Sequence, residues 1–145
     1  MSPRTPAPTA LSAAAAALCL AVSWIHIQDQ GGFPGDKAPG YVGAGYYLLE
    51  AAGIVAAALL ITHGRQGRRA PWLLAAAVAV GPLVGYILSR GPGLPNYSDD
   101  RGNWSEPLGL VAIAVEAALV LTAGAVLLAG RGGAAAPTSA ASEDD

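Results

Sequence analysis

Two carboxylates stand inside otherwise apolar stretches, Glu50 in YYLLEAAGIV and Glu116 in VAIAVEAALVL. An ionised carboxylate near the middle of a bilayer costs at least about 2.5–3.5 kcal/mol, so each must face other helices rather than lipid. If the two meet, they can share one proton or hold a cation. If they do not, each protonated acid can hydrogen-bond to a neighbouring helix as structural glue. Glu50 and Glu116 each lie nine residues into their run, counted from Tyr41 and Pro107. At helical rise that is roughly 13–14 Å below one boundary, close to the midplane, which makes them expected neighbours in one bundle.

Tyr46 stands four residues before Glu50, on the same helical face, and its hydroxyl is expected to reach toward that acid. His26, two residues after Trp24, ends another apolar run. It could join a metal or proton site at that mouth, or serve as an ordinary polar interface residue. His63 falls at the opposite membrane face, so the two histidines do not form an axial pair for a haem. Cys19 is the sole cysteine, and HxxxH and HExxH spacings are absent; no metal or cofactor is expected.

The richest polar segment is SRGPGLPNYSDDRGNWSEP, residues 89–107. It offers Arg90, Asp99, Asp100, Arg101, Trp104 and Glu106 as a second candidate site. The adjacent acids make no EF-hand loop, and neither GxSxG nor a Ser/His/Asp set occurs. No catalytic residue is assigned, although carboxylates alone can do acid/base work. Ser105 is expected to cap the following helix, with Glu106 and Pro107 opening it.

These side chains are positioned by four apolar runs, expected as helices at about 10–27, 41–62, 71–88 and 108–129. Runs near 20 residues cross a hydrocarbon core of about 30 Å, and lipid offers nothing to free backbone groups. The 145 residues are 53% hydrophobic and only 12% charged, against about 25% charged in soluble domains. A net charge of −2, with no Lys/Arg cluster interleaved with aromatics, excludes a nucleic-acid partner. The first run has a rival reading as a signal peptide; its continuation through Trp24 and the three runs that follow favour a retained helix. Gly81-Pro-Leu-Val-Gly85 is a GxxxG with an internal proline, which allows close helix approach and a kink. The aromatic residues read mostly as an interfacial belt, with Trp72 marking the inner end of the third helix.

Arg4, Arg65, Arg68, Arg69 and Arg131 fall on one side, and Lys37, Arg90 and Arg101 on the other. The positive-inside rule then places both termini in the cytoplasm and segments 28–40 and 89–107 outside the plasma membrane. The tails 1–9 and 130–145, the latter ending in Glu143, Asp144 and Asp145, read as disordered. The halves echo each other: GGFPGD and GPGLPN follow runs one and three, and EAA opens EAAGIVAAA and EAALVLTAG. The echo reflects either tandem duplication of a helical hairpin or a chance match of Ala-rich helices.

Leu88-Ser89-Arg90, Gly93-Leu94-Pro95, Trp104-Ser105-Glu106-Pro107-Leu108-Gly109 and Glu116 together resemble a pattern of small four-helix integral membrane proteins of actinobacteria. About a quarter of the chain carries it. The resemblance implies fold and membrane location; it brings no activity and no catalytic residue.

The expectation is an all-α, integral membrane four-helix bundle built as two tandem hairpins. Its function is that of an accessory or partner-binding membrane component, in contact with the lipid bilayer and with either a second copy or another membrane protein. The alternative is proton or cation handling through Glu50 and Glu116, with Tyr46 and His26.

Overall fold

A computed structural model describes residues 9–132. The chain forms α1 (Thr9–Asp29), α2 (Gly40–His63), a 3-10 turn (Gly64–Gln66), α3 (Arg69–Arg90) and α4 (Pro107–Gly132). Each helix limit falls within three residues of the apolar run that announced it. The expected tails lie outside the described residues, apart from Thr9 and the last turn of α4. The helices, 21 to 26 residues long, measure roughly 30–40 Å. All four are long and apolar enough to cross a membrane. Leu20, Leu48, Ile61, Ile87 and Leu121 are exposed on the outside of the bundle. A helix bundle apolar toward its surroundings on every side is that of a multi-pass membrane protein.

The architecture is two hairpins. α1 packs most extensively on α2, and α3 on α4, while α1–α4 and α2–α3 contacts close the ring. The cross-section is a lozenge. α1 approaches α3 across the short diagonal, whereas no Cα of α2 comes within 8 Å of one in α4. The two hairpin loops, 30–39 and 91–106, lie at one end of the bundle. The 3-10 turn and the outer limits of α1 and α4 lie at the other, here called the terminal end.

The dry core occupies the terminal half. Ala15, Ala16, Cys19, Ala56, Ala57, Leu60, Ala75, Leu119 and Ala123 pack there, mostly as small residues that let backbones close up. Gly53 marks the tightest seam: a Cβ there would lie 2.9 Å from the Cys19 carbonyl and collide with the Ser23 hydroxyl. Trp72 does not mark an interface. It is 1% exposed and plugs this core, its indole Nε1 donating to the Gly64 carbonyl at 3.2 Å. The buried indole N–H thereby finds its acceptor at the turn.

α1 ends where Gly31 takes φ +90°, with the Gly32 amide donating to the Ile27 carbonyl at 2.8 Å, a left-handed stop that glycine adopts at no steric cost. At the start of α4 the cap is Glu106, not Ser105. Its carboxylate accepts from the amides of Leu108 (3.0 Å) and Gly109 (2.6 Å). The helix begins at Pro107, so Glu106 is the residue that stands before the first free amides.

Candidate functional site

The polar chemistry collects where α1 stops short. Asp29, its last residue, accepts a hydrogen bond from the Tyr46 hydroxyl of α2, so about 9 Å of α2 rises beyond the end of α1. Tyr46 therefore turns to Asp29, and not to Glu50 one turn below it. Lys37, from the loop, pairs with Asp29 at 3.2 Å and sits 5.4 Å from the Tyr46 ring centroid.

This recess lowers His26 to the level of Glu116. His26 Nε2 stands 3.8 Å from Glu116 Oε1, just beyond hydrogen-bond length. The other ring nitrogen, Nδ1, lies 2.9 Å from the Val22 carbonyl; a carbonyl only accepts, so Nδ1 carries the proton and Nε2 is the nitrogen turned to Glu116. The His26 ring also meets Tyr46 edge-on at 5.4 Å. Glu116 is 1% exposed, and among the described residues its Oε1 has no hydrogen-bond partner.

Glu116 and His26 line a cavity of about 470 Å³ that reaches from the hairpin loops past the middle of the bundle along α3, within the usual 300–1,000 Å³ of small-molecule sites. It occupies the long diagonal that α2 and α4 leave open. Its walls are mostly apolar, with Ile25, Val42, Leu49, Leu74, Val78 and Ala112 among them. Asp29, Tyr46, Arg90, Tyr97, Asp100 and Glu106 are among the polar residues of the lining. The two candidate sets thus share one chamber: His26, Tyr46 and Glu116 from the helices, Arg90, Asp100 and Glu106 from the loop end.

Arg90 organises the loop end. Its Nε donates to the Asn103 carbonyl at 2.8 Å and one terminal nitrogen to the Ser89 hydroxyl at 3.2 Å. Asp100 and Glu106 flank it at 3.7 and 3.6 Å, and its guanidinium lies 3.9 Å from the Tyr86 ring centroid. Tyr97 is buried and donates to Asp100 at 2.7 Å. Burial, then the neighbouring Asp100, pushes its phenol above the ordinary tyrosine value. Tyr41 donates to the Pro95 carbonyl at 2.6 Å, tying this loop to α2. Asp99 and Arg101 are exposed and outside the cavity lining. Trp104, also outside it, packs edge-on against Tyr86.

Glu50 belongs to a different place. Its Oε1 accepts from Gln30 Nε2 at 2.7 Å, and its backbone carbonyl accepts from the Ser23 hydroxyl at 3.0 Å. It does not line the cavity. The expected Glu50–Glu116 meeting does not occur, because α2 and α4 sit across the long diagonal and each acid turns to α1. Glu50 bonds within its own hairpin; Glu116 faces the other. Gln30, which sequence reasoning missed, is 2% exposed and folded under Gly35; its signal was an uncharged amide three residues past the end of an apolar run. The GxxxG motif also acts differently from expectation. A Cβ on Gly81 or Gly85 would meet nothing within 4 Å, so none of the four described helices packs closely there.

Among the described residues, no three His, Cys, Asp or Glu side chains converge to hold a metal ion. What the cavity offers is a paired acceptor. A nitrogen about 2.9 Å from both Glu116 Oε1 and His26 Nε2 would bond to each. No protein-family model, curated protein or solved structure matches the chain.

Proposed function

We propose that this multi-pass membrane protein is a non-enzymatic binder of small organic ammonium ions, resident in the plasma membrane with the hairpin loops outward and both termini cytoplasmic. The observation that carries the reading is the buried, unpartnered carboxylate oxygen of Glu116 in the wall of an otherwise apolar cavity. An unpaired buried acceptor is costly, and a ligand donor relieves it. The lining charges favour a cation: Asp29, Asp100, Glu106 and Glu116 outnumber Arg90, and Lys37 offsets Asp29 alone. This is the cation-handling alternative with one change of residue, since Glu116 and His26 act together and Glu50 is structural.

The test is calorimetric titration of the protein in lipid nanodiscs with butylammonium. Binding weakened at least tenfold by Glu116→Gln and kept within twofold by Glu50→Gln is the expected result. Equal loss in both variants, or none in either, overturns the assignment. The open face at Gly81 and Gly85 supports a second reading, an accessory role in which a partner helix seats on α3. It predicts a stable complex whose mass falls when Gly85 is enlarged.

A further inference from the structure

The ammonium-binding reading leaves open what the rest of the ligand is and how it arrives. The cavity is not a round chamber. Along α3 its lining runs from Leu74 to Arg90, about 24 Å at helical rise. On that helix Leu74, Ala77, Val78, Gly81 and Gly85 follow one face at three- and four-residue steps. The facing wall on α2 includes Gly45 and Leu48.

Several of these wall residues are also on the outside of the protein. Gly45, Leu48, Ala77 and Gly81 are exposed, Leu48 by 72%. A residue that is at once exposed and part of the cavity wall stands at its mouth. The mouth is therefore the gap between α2 and α3, which faces lipid. Gly45, Gly81 and Gly85 all have nothing within 4 Å of where a Cβ would be, so the gap is open at these three positions. At the end toward the loops Leu94, Tyr97 and Asp100 join the lining, tied to α2 by the Tyr41–Pro95 bond and to α3 by Arg90.

We infer that the ligand is an amphipathic amine taken from the outer leaflet, its ammonium group at Glu116 and His26 and its alkyl chain lying lengthwise in the α2–α3 gap over Gly45, Gly81 and Gly85. The inference rests on the ammonium reading and narrows it to single-chain amphiphiles. The gap faces lipid and its walls are mostly apolar; an alkyl chain matches those walls and enters sideways from the leaflet.

The experiment titrates nanodisc-embedded protein with butylammonium, octylammonium and dodecylammonium, with affinities expressed against the amine already partitioned into lipid. Wild type is compared with Glu116→Gln, Gly85→Leu and, on the opposite wall, Gly45→Leu. The expected result is affinity that rises with chain length in wild type. Gly85→Leu or Gly45→Leu should then weaken dodecylammonium at least tenfold and butylammonium less than twofold. If the wall variants affect all chain lengths alike, or none, the lateral chain site is wrong while the ammonium site stands. If no amine distinguishes wild type from Glu116→Gln, the ammonium reading itself has failed. Light scattering of the same samples decides the remaining case: a dimer that Gly85→Leu dissociates means that a second copy fills the gap, which overturns the inference. Either wall variant suffices should the other not fold.

Discussion

Replacing Gly53 and Gly85 by alanine should move stability in opposite directions, although both are glycines inside apolar helices. At Gly53 the new methyl would stand 2.9 Å from the Cys19 carbonyl and collide with the Ser23 hydroxyl. Forcing an extra carbon into a packed seam costs about 1–3 kcal/mol. Displacing Ser23 also loosens its bond to the Glu50 carbonyl, worth about 0.5–1.5 kcal/mol. Alanine's better helix propensity returns about 0.8–1.0 kcal/mol. The net is a destabilisation of about 0.5–3.5 kcal/mol. At Gly85 the methyl meets nothing within 4 Å, so only the propensity gain remains, up to about 1 kcal/mol of stabilisation. Reversible unfolding in mixed micelles by increasing SDS fraction measures both. Changes of the same sign in the two variants would refute the distinction between a closed α1–α2 seam and an open α2–α3 gap.

Glu106→Ala removes the cap of α4, at a cost of about 0.5–2 kcal/mol; hydrogen exchange should speed up at the Leu108 and Gly109 amides and stay unchanged near Glu116. Trp72→Phe leaves the Gly64 carbonyl without its donor and should destabilise the bundle by about 1–3 kcal/mol, seen as an earlier SDS midpoint. Tyr97, its folded value raised, holds its proton through the pH range where free tyrosine ionises. Its contribution is therefore intact below that range and lost as pH rises above it. In a 295 nm titration, Tyr97→Phe should remove absorbance only from the high-pH end of the wild-type curve.

The helices were legible because composition and length alone force them: an apolar run of about 20 residues has no other way to satisfy its backbone in lipid. Glu50 and Glu116 were legible as the acids out of place there. Their partners were not, because partnership depends on axial stagger, which no single helix encodes. Depth counted along α2 and α4 put the two acids level and suggested a pair; the early stop of α1 instead brought His26 to Glu116 and Gln30 to Glu50. Tyr46 failed for the same reason, as Asp29 ended within its reach. The Arg90–Asp100–Glu106 group was half legible, since one short loop holds all three. Trp72 misled because an aromatic at a helix end looks alike whether it faces lipid or plugs the core.

The unequal partnering of the two acids bears on how the chain enters the membrane. A growing chain emerges with its N-terminal part first. The α1–α2 hairpin carries its own answers to its polar groups: Gln30 for Glu50, Ser23 for the Glu50 carbonyl, Lys37 and Tyr46 for Asp29. It can settle in lipid before the second hairpin is made. Glu116 has no counterpart in its own hairpin, and beside His26 its Oε1 still lacks a hydrogen bond among the described residues. The first hairpin thus satisfies its buried acid by itself, while the second brings one that the finished bundle leaves open.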